Sequence, residues 1–270
     1  MLPRNETLES LFPGRKQKLE AIKRYWAFDT MYYRTNDWVH SLRVRWILED
    51  ILPLAKHHFK NLDVDRAVCL ALVHDDAEIV TGDVQAGHKA VMSKAQLAKV
   101  HENERRAIAM FAKKYPVKID GKYEYGKLLL EALEKKTLEA QLVSYADKMD
   151  AFGESLHELY AGNYSILRSV IYYTDLFARA EKKFPKLAPI IDDKRSDFTN
   201  RLGFLHEHLI KGMKYASFGE PFTKETIRLP GQIPLYNRWK AITLKRGGSE
   251  GLRLLIKQTE FTRQAPKNRR

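Results

Sequence analysis

Ala67 to Val80 reads AVCLALVHDDAEIV. An apolar run from Ala67 to Val73 passes directly into His74, Asp75 and Asp76, three side chains that a helix interior accepts only when each has a partner. Asp63 is a ready N-cap and Gly82 a C-terminal stop, so the spacing predicts one helix from Val64 to Val80. On such a helix His74 and Asp75 diverge by about 100°, yet both can reach one ion lying beyond the helix surface. Glu78, four residues after His74 and three after Asp75, returns to the same flank one turn on. Asp83 follows Gly82, where the chain has left the helix and can turn a further carboxylate toward the same space. With His40 upstream and Asp147 downstream, the set contains two imidazoles and two carboxylates, enough to hold one divalent cation and to support metal-assisted hydrolysis. The competing reading is a hydrogen-bonded helical histidine followed by a solvated acidic edge.

Outward from this stretch the chain reads as an ordinary globular protein. Its 270 residues are 44% hydrophobic, near the upper end of a single domain. Cys69 is the only cysteine, which excludes an intrachain disulfide and a cysteine-rich zinc site. Its apolar neighbours mark it as a small core hydrophobe, and a reducing compartment is expected. The N-terminal MLPRNETLESLFPGRKQK has no apolar core of signal-peptide length, and runs such as Ala67 to Val73 are too short to span a bilayer. A soluble, cytoplasmic protein with no membrane partner is the expectation. Of the formal net charge of +13, Pro221 to Arg270 supplies +9, from 12 lysines and arginines against 3 glutamates. The basicity belongs mostly to the C-terminal segment.

Helical periodicity dominates the first 215 residues. Ala21 to Met31 mixes helical and aromatic signals, and Ser41 to Phe59 places Leu42, Trp46, Leu48, Ile51 and Leu52 on one stripe. Lys94 to Lys114, Tyr125 to Leu133 and Thr137 to Tyr160 follow as helices, the last carrying Asp147, with further helical stretches ending near Lys214. Alternation of period two is scarce, so the fold class is all-α. After Gly219 the texture changes to more Pro, Gly and β-branched residues. There Trp239 to Lys245 and Leu252 to Thr259, separated by RGGSEG, fit either a hairpin of strands or two short helices. Residues 1–215 are expected to form the core and 216–270 a basic extension.

His40, His74-Asp75 and Asp147, in this order and each in a helical segment, resemble the ligand pattern of the HD-domain superfamily of metal-dependent phosphohydrolases. Within it the 5'-deoxynucleotidase group is most similar. HDDAEIVTGDVQAGHK, from His74 to Lys89, matches that group's HD, its Glu four residues after the His, its TGD and its Lys six residues after that Asp. ADKMDAFGESLHELYAGN matches its segment in which a ligand Asp is followed by an acidic, Leu-containing stretch ending in AGN, here Asp147, Glu158-Leu159 and Ala161-Gly162-Asn163. The resemblance runs from about Leu19 to about Ala180.

The resemblance implies an HD-domain helical bundle that hydrolyses a deoxyribonucleoside 5'-monophosphate to nucleoside and phosphate. It implies His40, His74, Asp75 and Asp147 as ligands of one divalent ion (manganese, cobalt, nickel, iron or zinc), and Glu78 as the proton donor or acceptor near the attacking water. Asp83 would contact the sugar or the water network, and Lys89, Arg34 and Arg24 would offset the phosphate charge. A homodimer is a further expectation from the family. Two departures stand out: Val39 precedes His40 where the family carries an acid, and the chain is one residue shorter between Arg34 and His40. His57-His58 and His206/His208 have no ligand-like partners and read as surface or packing residues, while His88 and His101 are weaker candidates for substrate contact. Tyr25, Trp26, Phe28, Tyr32, Tyr33 and Trp38 read as core and helix contacts. Two other functions remain in view. One is an HD hydrolase of nucleoside polyphosphates or phosphodiesters, disfavoured by the lack of a second His pair. The other is a nucleic-acid-binding or regulatory protein that uses the basic C-terminal segment.

Overall fold

The structure, a computed structural model, describes residues 5–28, 30–193 and 234–256. The described residues are predominantly helical, in line with the all-α expectation. Two compact units divide the chain: Met1–Tyr25 with Thr35–Asp147, and Trp26–Arg34 with Lys148–Arg270. The boundary expected near residue 215 lies outside the described residues, as do His206 and His208.

In the first unit, α1 (Asn5–Leu11) and α2 (Arg15–Ala21) precede α3 (Asp37–His58), α4 (Val64–Val73), α5 (Glu78–Thr81), α6 (Ala86–Val91), α7 (Lys94–Lys114) and α8 (Tyr125–Glu134). The long helix α9 (Leu138–Tyr160) contributes its residues up to Asp147. The helical signal across Ala21 to Met31 produces no helix beyond Ala21 among the described residues. α2 ends at Ala21, and the chain instead makes an isolated antiparallel bridge between Lys23 and Asn36. α3 starts four residues earlier than its apolar stripe predicts, because the Asn36 side chain accepts the Val39 N–H at 3.0 Å and caps the first turn. Asp37 and His40, one turn apart, are thereby placed on one buried face with Val44, Ile47, Leu48 and Ile51. Ala67 to Val73 of α4 are buried on every side, with α3 and α8 packed against them, and Cys69 sits among them as a packed hydrophobe. Burial raises its thiol pKa to about 12.

One helix from Val64 to Val80 was expected; the structure breaks it. α4 stops at Val73, and the next turns close with i to i+3 bonds: Asp76 N–H to Val73 at 3.0 Å, Glu78 N–H to Asp75 at 2.9 Å and Ile79 N–H to Asp76 at 3.2 Å. The cause is Arg15. Its guanidinium donates to the Leu72 carbonyl, the acceptor that the Asp76 N–H would take in a continued α-helix. The same guanidinium holds the Asp76 carboxylate, with Nε to Oδ2 at 2.8 Å and Nη2 to Oδ1 at 2.7 Å, and the Tyr125 hydroxyl donates to Oδ2 at 2.9 Å. All three side chains are buried. A second departure is the two-residue hairpin of β1 (Lys118–Ile119) and β2 (Tyr123–Glu124). Asp120 and Gly121 turn it with φ of 55° and 65°, the left-handed geometry that an Asp-Gly pair favours.

In the second unit α9 continues to Tyr160, followed by α10 (Leu167–Ala178), α11 (Ala180–Lys183), α12 (Ala188–Ile191) and α13 (Pro234–Ile256). α13 is two helices across a kink at Gly248, where φ is 54°, so the two-helix alternative holds within the described part of the C-terminal segment. α13 is docked by aromatic side chains of its first half. Trp239 Nε1 donates to Asp150 at 2.8 Å, and its ring lies where a side chain on Gly153 would stand. His157 contacts the Tyr236 hydroxyl at 2.7 Å through Nδ1 and the Leu255 carbonyl at 3.3 Å through Nε2. Among the described residues no helix is long and apolar enough to cross a membrane.

Removing one partner of the Arg15–Asp76 pair strands a buried charge. Asp76→Ala is therefore expected to cost about 3–5 kcal/mol, and Tyr125→Phe about 1 kcal/mol. Urea unfolding followed by circular dichroism measures both; an Asp76→Ala loss no larger than that of Tyr125→Phe contradicts the assignment.

Candidate metal centre

α3, the turn after α4, and α9 deliver four side chains to one place. His40 Nε2 lies 3.3 Å from Asp75 Oδ2 and 3.3 Å from Asp147 Oδ1, and His74 Nε2 lies 3.2 Å from Asp75 Oδ2. Ligand-type atoms of His40, His74 and Asp147 fall within 4.8 Å of one another. His74 Nδ1 lies 2.9 Å from the Ala71 carbonyl, which can only accept, so Nδ1 carries the proton and Nε2 presents its lone pair. That Nε2 is buried and has no hydrogen-bond partner. Two imidazoles and two carboxylates converging on one point, with an imidazole tautomer fixed for donation, form a donor set suited to a divalent cation. Burial would raise the Asp75 pKa, but the facing His74 and His40 outweigh it and hold the carboxylate below its usual range.

Beside these four lies a second acidic group. Oxygens of Asp37, Asp75 and Glu78 lie within 4.8 Å of one another, and Asp37 is 0% exposed. Burial first, and then the charges of Asp75 and Asp83, push Glu78 well above the ordinary carboxylate range; its Oε2 is buried without a hydrogen-bond partner. Burial and Asp75 raise Asp37 to about 8 against the pull of Arg24. Asp83 is also raised, by burial, against the opposing effect of Arg24. Arg24 is buried, with Nη1 3.7 Å from Asp37 Oδ1.

The remaining sequence candidates are distributed unevenly. Lys89 on α6 acts on Asp83 but pairs with Glu104 of α7 at 2.6 Å, and His101 Nδ1 lies 3.0 Å from the same carboxylate. Arg34 belongs to the second unit, where its guanidinium donates to the Phe28 carbonyl. His57 and His58 meet edge to face at the end of α3, with ring centroids 5.2 Å apart. Of the aromatic group, Tyr25 is buried as expected, whereas Trp26 is 58% exposed and is not a core contact. Asp37 and Glu104 escaped notice in the sequence. The signal for Asp37 was available: Asn36 is a strong N-cap, and residue 37 then shares a helical face with His40, which residue 39 does not.

Residues 12–175 match the family described as 5'-deoxynucleotidase YfbR-like. The chain belongs to this family. A 5'-deoxynucleotidase of Pectobacterium atrosepticum is 28% identical over 157 residues, 57% of this chain and 76% of that protein. One of Vibrio vulnificus is 25% identical over 162 residues, 58% of this chain and 78% of that protein. Among solved structures, a conserved hypothetical protein from Pyrococcus furiosus matches with a TM-score of 0.50 and 25% identity, over 66% of this chain and 94% of its own. The family match includes every residue of both acidic groups and stops before α13. Membership supports a nucleotide phosphohydrolase and, by the chemistry of the superfamily, a divalent metal.

The raised carboxylates set a pH dependence for the metal-free protein. With Asp37 at 3.8 unfolded and about 8 folded, its contribution is fully present below the lower value and is lost as pH rises through the upper one. The lowered Asp75 acts only below its ordinary value of 3.8, outside that window. The urea midpoint of chelated protein is therefore expected to fall as pH rises through this window, and less steeply in Asp37→Asn. A midpoint that rises with pH there contradicts it.

Proposed function

We propose that the protein is a metal-dependent phosphohydrolase that converts (deoxy)nucleoside 5'-monophosphates to nucleoside and phosphate. The observation that carries this reading is the convergence of His40, His74, Asp75 and Asp147 beside a buried, unpartnered Glu78, in a chain of the YfbR-like family. The four hold one divalent ion, drawn from manganese, cobalt, nickel, iron and zinc. When bound, the ion supplies Lewis acidity toward the phosphoryl group and toward water.

The chain's own residues do the rest. The Ala71 carbonyl fixes the His74 ring and keeps its Nε2 basic. Glu78, whose burial raises its pKa above the ordinary carboxylate range, is the proton carrier, exchanging a proton with water or with the leaving 5'-oxygen. Asp83 contacts the sugar or the water network. Arg24 is buried among the carboxylates and offsets the charge of an incoming phosphate. Lys89 joins it by exchanging Glu104 for the phosphate, and Arg34 is a further candidate cation.

Asp75→Ala is expected to lose both bound metal and turnover. Glu78→Gln should keep its metal and its fold while kcat falls roughly 10²- to 10⁴-fold, the range for a lost general acid or base. Metal content by elemental analysis and phosphate release from a panel of nucleoside monophosphates measure both. Full metal content with no release from any nucleotide in the wild type removes the hydrolase reading.

A further inference from the structure

Two segments of the first unit run side by side just before α3. The Arg24 N–H donates to the Thr35 carbonyl at 3.1 Å, the Asp37 N–H donates to the Ile22 carbonyl at 3.2 Å, and Lys23 pairs with Asn36 between them. This short ladder carries the side chains of Arg24 and Asp37 to the same place, with their charged groups 3.7 Å apart and both residues buried. Asp37 is not the residue that caps the helix. Asn36 makes the cap, and neither oxygen of Asp37 accepts a hydrogen bond among the described residues. A carboxylate buried in this way costs stability unless a cation compensates it, and the cation that faces it is Arg24. From there the Asp37 oxygens reach within 4.8 Å of those of Asp75 and Glu78, so the guanidinium is held at the edge of the candidate metal centre.

We propose that Asp37 is a positioning residue, which holds Arg24 so that its guanidinium faces the phosphate of a nucleotide at that centre. The proposal rests on the hydrolase reading only for where the phosphate lies. A guanidinium carries five N–H donors in a rigid fork, enough to meet a carboxylate on one edge and a phosphate on another. Arg24 sits among Asp37, Glu78 and Asp83, all of which feel its charge. Without an anchor, any of these carboxylates can draw the guanidinium away from the substrate; with Asp37 as a fixed partner its direction is set before the phosphate arrives.

The sign of one measurement separates anchoring from a mere charge. As a bare negative charge near the site, Asp37 repels a phosphate dianion, and its neutralisation would tighten binding. As the anchor of Arg24, its neutralisation loosens binding. Calorimetric titration of inorganic phosphate into the metal-loaded full chain, carried out above pH 8 so that Asp37 is ionised, reads this without turnover. Asp37→Asn and Arg24→Ala are each expected to weaken phosphate binding roughly tenfold, the size of one charge-assisted contact. The double variant should be no weaker than Arg24→Ala alone, and Asp37→Glu should recover part of the loss, with metal content unchanged throughout. Asp37→Ser serves in place of Asp37→Asn if that variant does not fold. Equal or tighter binding by the neutral variant, additive losses in the double variant, or no phosphate binding by the wild type overturns the proposal. A wild type that binds phosphate with the expected pattern yet hydrolyses no monophosphate keeps the anchor and removes the hydrolase reading.

Discussion

The buried pair of Arg15 and Asp76 decides where α4 ends, and the candidate site depends on that ending. An apolar helix with every side buried has no reason of its own to stop at Val73. By taking the Leu72 carbonyl, Arg15 removes an acceptor from the helix, and by binding Asp76 it fixes the residue just past the break. The tighter turns that follow bring His74 and Asp75 toward His40 and leave Glu78 close to Asp75. Asp76, the second aspartate of the HDD run, is thus a structural member whose work is done on the opposite side from its neighbour.

The site is built against its own electrostatics. Asp37, Asp75, Glu78, Asp83 and Asp147 crowd a space in which burial penalises every charge, and the buried cation among them is Arg24. Such a concentration of carboxylates destabilises the fold and is reconciled by cations, whether side chains or a metal ion. Asp75 and Glu78, three residues apart, respond in opposite directions: the histidines depress the first, and burial together with the surrounding acids raises the second. A ligand that must be ionised and a carrier that must hold a proton need this divergence.

Much of this was legible in the residues. Tyr125 as a helix start, Lys94 to Lys114 as a full helix and the convergence of His40, His74, Asp75 and Asp147 were readable because periodicity, capping signals and residue chemistry agreed. The break after Val73 was not, since it arises from Arg15, 57 residues away from Leu72, and no local signal opposed a continuous helix. The early start of α3 was missed because it is set by the Asn36 cap, which lies outside the apolar stripe. The same oversight concealed Asp37. Lys89 illustrates the limit of a motif, which placed the cation near Asp83 but could not foresee Glu104 on another helix.

The interleaving of the two units has a consequence for how the chain is made. The first unit has all of its sequence once Asp147 has been synthesised, whereas the second needs Trp26–Arg34 from near the start and Lys148–Arg270 from the end. During vectorial synthesis the first unit can therefore condense while Trp26–Arg34 remains an excursion from it, closed at its base by the bridge between Lys23 and Asn36. The second unit has to wait for its later residues before it can enclose a segment made long before. The order of assembly is written into the connectivity, with the unit that carries the histidines and carboxylates able to form first.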